Sequence, residues 1–229
     1  MTVETASTVG CWHPAAPSTP ERLVVAAPHP DDELLGAAGI LRWASDRGVA
    51  LTIVACTDGE GSHPRSLLTD PGELRRRRAS EREAALGAFG IAAEVVRLGL
   101  PDGSLAAFEG QLAEAMRAWC APGSVLVVPW RHDGHADHES LARAGLRAAA
   151  GTGASVWQVP IWAKVRRGRP LPAPFASLQL SAEARRAKAT AVGLHRSQLV
   201  ALGPRPEDGP VVHPHELALM LDGWEMVLP

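Results

Sequence analysis

Asp31 and Asp32 stand side by side, two residues beyond His29, in the segment Pro28-His29-Pro30-Asp31-Asp32-Glu33. Adjacent side chains on a turn point in different directions, so the two carboxylates can hold different jobs. One can bind a metal ion beside the His29 imidazole while the other faces water at that ion. A second cluster, His135-Ala136-Asp137-His138, offers two more imidazoles and a carboxylate within four residues. Two histidines and one aspartate make a three-ligand set that leaves a position open, the pattern of a catalytic site. Nitrogen and oxygen donors suit zinc, or ferrous iron, better than magnesium. Water acidified by such an ion and deprotonated by a neighbouring carboxylate would attack an amide carbonyl at neutral pH. Either cluster alone is more often a turn or a helix cap than a site. The two together, each at the end of an apolar run, argue against that.

The elements that must position these residues follow from periodicity. Short apolar runs alternate with segments of helical period: 23–27 then 34–46, 50–56 then 73–89, 94–98 then 108–119, 125–129 then 138–150, and finally 156–159. This alternation predicts βαβ units and a single-domain, Rossmann-like three-layer α/β sandwich with a mainly parallel sheet. Ligand sites in such sheets gather beyond the carboxyl ends of the strands. His29 to Asp32, Thr57 to Glu60, Leu100 to Gly103 and His132 to His138 each follow one of the first four runs, so four loops converge on one rim. The Gly36-Ala37-Ala38-Gly39 run lies inside a helix and is no dinucleotide fingerprint. A helix is expected over 182–193 and an edge strand over 224–228, with irregular chain over 160–174 and 204–214. Residues 1–21, rich in Pro, Ser, Thr and Ala, read as a loosely structured leader to a domain spanning 22–229.

With 23 Lys and Arg against 25 Asp and Glu, the chain has no global field to draw in nucleic acid or an anionic membrane, so a small-molecule partner fits better. The run Arg75 to Arg78 reads as a solvated helix face. Three widely spaced cysteines, Cys11, Cys56 and Cys120, make neither a disulfide framework nor a cysteine zinc site. With no basic start and apolar run near the N-terminus and no long apolar stretch, they lead to the expectation of a cytoplasmic protein. Oligomeric state is not encoded in any readable pattern.

The order and spacing of Pro28 to Glu33, Thr57 to Glu60, Leu98 to Gly103 and Asp133 to His138, with the weaker Lys188 to Ala191, His195 to Gln198, Pro214-His215 and Trp224-Glu225, resemble the LmbE-like or PIG-L-type N-acetylglucosaminyl deacetylases. The resemblance runs from residue 22 onward. It implies a zinc-dependent enzyme that removes an acetyl group from an aminosugar-type small molecule. His29, Asp32 and His138 would ligate zinc, Asp31 would serve as general base and then proton donor, and a protonated His135 would steady the oxyanion. Asp137 would orient an imidazole. Two departures stand out. Ala136 replaces the proline of the usual His-Pro-Asp-His, and Asp133 occupies a position where some members carry a tyrosine, a residue this chain lacks altogether. Glu60, His195 and Trp130 are candidate substrate contacts, with loop organiser, helix cap and core residue as their plainer readings, and Trp162 shares the stacking role considered for Trp130. An amidase or deacylase acting on another amide, such as a mycothiol conjugate, is the alternative. A non-catalytic sugar-binding module is a third reading, opposed by the complete set of ligands and base.

Overall fold

Strands here form where β-branched and small apolar residues run together, and helices where capping residues release the chain from them. The computed structural model describes residues 9–13, 18–165 and 175–229. Its strands are β1 (Val9–His13), β2 (Arg22–Ala27), β3 (Ala50–Thr57), β4 (Glu94–Leu100), β5 (Ser124–Pro129), β6 (Ser155–Val159), β7 (Ala176–Leu180) and β8 (Trp224–Val227). The helices are α1 (Asp32–Ser45), α2 (Pro71–Phe89), α3 (Glu109–Arg117), α4 (Ala136–Ala149), α5 (Trp162–Val165), α6 (Ala182–Val192), α7 (Arg196–Leu199) and α8 (Pro214–Met220).

Five strands form a parallel sheet in the order β4-β3-β2-β5-β6. The three central strands are buried on both faces, which explains their unbroken apolar sequence. Leu23 and Val25 of β2 pack into a core shared with α1, α2 and α6, whereas Val24 and Ala26 face a second core built with α3 and α4. Helices therefore cover both faces, and the architecture is the three-layer α/β sandwich that the alternation predicts. The chain leaves β2 in one direction through β3 to β4, then returns to build β5 and β6 on the other side. The switch point lies between β2 and β5, which pair along Arg22 to Val25.

Helix signals act as their chemistry dictates. Asp70 caps α2 by accepting from Glu73 N at 2.9 Å, Pro71 opens the helix, and Gly90 ends it at φ 73. In α1 the backbone breaks at Ala37 (φ −133, ψ 18). Lys188 Nζ of α6 donates to Leu35 O at 2.9 Å and to Glu225 Oε1 of β8 at 2.8 Å, and Glu225 Oε2 accepts from Gly39 N at 2.8 Å. One buried ion pair thus satisfies backbone groups on both sides of the break.

Three expectations change. Within the segment read as a loose leader, Val9–His13 forms a strand that pairs antiparallel with β7; β7 pairs in turn with β8, giving a three-stranded sheet. The 160–174 stretch contains the short helix α5, and its remainder, 166–174, lies outside the described residues. The arginine run is not wholly solvated, because Arg78 is buried, as is Arg82 one turn further along α2. No helix among the described residues is long and apolar enough to cross a membrane.

Candidate metal centre and active site

The site forms where β2 and β5 end, at the switch point. After β2 the chain turns sharply, pinned by Thr57, whose N and Oγ1 both donate to Pro28 O at 3.0 and 2.8 Å. Asp31 takes φ 127, the only positive φ at a non-glycine residue among the described residues, and α1 begins at Asp32. After β5, residues 130–135 lead into α4, which starts at Ala136 and presents Asp137 and His138 in its first turn.

These two loops bring His29, Asp32, His135 and His138 together. Asp32 Oδ2 lies 3.0 Å from His29 Nδ1 and 3.3 Å from His138 Nε2. The far nitrogen of each imidazole meets another carboxylate. His138 Nδ1 is 2.8 Å from Asp133 Oδ2, while His29 Nε2 is 3.0 Å from Asp102 Oδ1 and 3.3 Å from Asp137 Oδ2. The outer carboxylates are themselves fixed. Asp137 accepts from Gly103 N and Leu105 N at 2.8 and 3.0 Å. Asp133 accepts from the backbone of Ile161, Trp162 and Ala163 at 2.8 to 3.0 Å, the start of α5.

This arrangement fits a metal ion. Asp133 fixes one proton of His138 on Nδ1, so Nε2, 3.3 Å from Asp32 and buried without a properly formed hydrogen bond among the described residues, is the nitrogen open to a second proton or to a metal ion. One ring nitrogen each of His29, His135 and His138 also lies within 4.8 Å of the other two, so His135 stands near enough to be a further donor.

Charge tells the same story. Burial lowers the proton affinity of His138, but Asp32 and Asp133 outweigh it and hold the pKa up at about 9. Burial is likewise outweighed at His29, where Asp102, Asp137 and Asp32 keep the pKa well above the usual range. Buried carboxylates therefore outnumber fixed cations around these rings, a field that favours a bound cation. Asp32 is held well below the usual carboxylate range, burial being overcome by His138 and His29. Burial pushes Asp31 up to about 7 against the opposing pull of Arg78. His135 goes the other way, lowered to about 4 by burial and by the neighbouring His138 and His29, a direction opposite to the imidazolium expected of it.

A cavity of about 330 Å³ opens onto these groups, with His29, Asp31, Asp32 and His135 on its floor and Leu35, Pro64, Trp162, Val211 and Val212 among its walls. Arg78, Asp102 and Gln198 also line it. Of the proposed substrate contacts, Glu60, His195 and Trp130 do not. Glu60 Oε1 accepts from Arg75 and from Asp102 N, which makes it a brace for the Asp102 loop. Trp130 is buried, edge-on to His132 and Phe175. His195 is 1% exposed, with its pKa lowered to about 3 by burial, Arg78 and Arg82. Sequence reading missed Arg78, Asp102 and Asp133. For Arg78 a signal existed in Gly59, whose φ of +70 and lack of a Cβ let the guanidinium lie directly against it and donate to its carbonyl at 2.9 Å.

Fold and site together define an α/β protein with a cluster of histidines and carboxylates able to hold a metal ion at its topological switch point. Residues 23–149 match the PIG-L family, described as GlcNAc-PI de-N-acetylase, and the chain belongs to that family. A Bacillus cereus protein named probable N-acetyl-alpha-D-glucosaminyl L-malate deacetylase 2 is 28% identical over 134 residues. That match covers 56% of this chain and 60% of the relative's length. Among solved structures, an A40926 pseudoaglycone deacetylase is similar at TM-score 0.64 and 22% identity, covering 91% of this chain and 96% of its own. The N,N'-diacetylchitobiose deacetylase of Pyrococcus horikoshii is similar at TM-score 0.61 and 19% identity, covering 79% and 71%. At these identities the two structures speak to the fold.

Proposed function

We propose that this protein is a zinc-dependent N-deacetylase acting on an N-acetylglucosamine-type small molecule. One observation carries the reading: two buried imidazoles share Asp32 at one ring nitrogen, and each has a different buried carboxylate at the other, with Asp31 beside them on a cavity floor. His29, Asp32 and His138 would hold the ion, and their nitrogen and oxygen donors suit zinc, with ferrous iron next. When bound, it supplies Lewis acidity toward water and toward an amide carbonyl.

The rest falls to the chain's own residues. Asp31 takes the proton of the attacking water and returns it to the departing amine; a carboxyl held near 7 can do both at neutral pH. His135, neutral, donates a ring N–H to the oxygen on which negative charge develops. Asp133 and Asp137 hold the rings of His138 and His29 in place. The description of the matched family and the name of the Bacillus cereus relative, both deacetylases, support the acetyl group as the part removed. Free Cys56 and Cys120 support a cytoplasmic location. The apolar walls at Leu35, Trp162, Val211 and Val212 favour one second reading, an amide with a longer acyl chain or an apolar aglycone.

Asp31→Ala is expected to keep one equivalent of zinc and lose about 10²- to 10⁴-fold in kcat, whereas His138→Ala loses the metal itself. Metal analysis and acetate release check both. Wild-type activity in either variant contradicts the assignment.

A further inference from the structure

Asp31 sits at the N-cap of α1, yet its side chain makes no capping bond. An aspartate there ordinarily has extended backbone and accepts from an amide of the first turn. Instead its φ of 127 turns the carboxylate into the cavity, a conformation that persists only when the surroundings impose it. The surroundings are specific. Asp31 N donates to Glu33 Oε2 at 3.3 Å, and Glu33 Oε1 accepts from Arg82 Nε at 3.2 Å. One turn earlier on α2, Arg78 donates to Pro30 O at 2.9 Å.

The pair is a poor stabiliser. Glu33 and Arg82 side chains are 0% and 1% exposed, and both terminal nitrogens of Arg82 are buried without partners among the described residues. Buried ion pairs with unfilled donors are commonly less stable than apolar replacements of similar size. Their place in this fold therefore needs a reason other than stability.

We propose that Glu33 and Arg82 are a positioning pair. Arg82 fixes the Glu33 carboxylate, Glu33 captures the Asp31 amide, and the Asp31 side chain is kept from relaxing into an ordinary helix cap, aimed at the reacting water instead. The inference rests on the reading of Asp31 as general base.

The test compares the full-length wild type with Glu33→Leu/Arg82→Met and with Glu33→Gln, which leaves one acceptor oxygen for two donors. Crystal structures, melting temperature, zinc content and kcat and KM for acetate release are measured for each. The double variant is expected to melt at or above the wild-type temperature and to bind one zinc. Its Asp31 φ becomes negative, and kcat falls about 10- to 100-fold with KM within about twofold. Glu33→Gln gives an intermediate loss and serves if the double variant does not fold. Retention of the positive φ with unchanged kcat in the folded variants overturns the proposal, as does a lower melting temperature with unchanged kcat. A wild type that releases no acetate from any substrate refutes the deacetylase reading instead, and the Asp31 φ in the variants then decides the positioning role alone.

Discussion

At His138 a proton and the proposed metal ion would compete for the same ring nitrogen, because Asp133 already holds a proton on the other. His138 has its pKa raised to about 9, above the 6.5 of the unfolded chain, and that of His29 is raised too. In chelator-treated protein this contribution to stability is fully present below pH 6.5 and is lost as pH rises through about 9. Melting temperatures from pH 6 to 9.5 should therefore fall in chelator. Zinc affinity runs the opposite way, since binding displaces these protons, and should tighten about tenfold per pH unit for each proton displaced between pH 7 and 8. Titration calorimetry at the two pH values reads it, and pH-independent affinity would contradict the protonation scheme. Asp133→Asn should weaken zinc about 10- to 100-fold, measured by competition with a chromophoric chelator. The metal-site candidates His29, Asp32 and His138 were legible because their residue types and loop positions are unusual together. Asp133 was not: its role depends on the start of α5 folding back over it, some 28 residues away in sequence.

The parallel sheet was legible at the level of elements because β2, β3 and β5 are apolar on both faces and α2 carries both its cap and its closing glycine. The buried side of α2 was hidden. Four consecutive arginines look alike in sequence, and only the packing of α2 against the turn after β2 selects Arg78. Strands β1 and β7 were hidden too, being short pieces distant in sequence; among the described residues β1 pairs with β7 alone, and β7 with β1 and β8. The Lys188 and Glu225 motifs, which have no chemical task in the site, acquire one in the fold by closing the break in α1. Lys188→Met strands a buried carboxylate beside Gly39 and should destabilise by about 3–5 kcal/mol in urea unfolding. A loss under 1 kcal/mol would mean that the pair does not hold the break.

For the molecule as a whole, the motifs of the metal centre lie between residues 28 and 138, within the span matched by the family. The cavity walls come partly from elsewhere, at Trp162, Gln198, Val211 and Val212. Their mixture of apolar and amide surface follows no code readable along the chain, which is why the reaction is legible and the acylated amine is not. The decisive measurement is acetate release from N-acetylaminosugars, disaccharides and thiol conjugates by zinc-loaded protein, with chelator and zinc re-addition. The account predicts acetate and free amine in equal amounts from at least one of them, abolished by chelator and restored by one equivalent of zinc. Release that persists in chelator, or none from any substrate by zinc-replete protein, would contradict it.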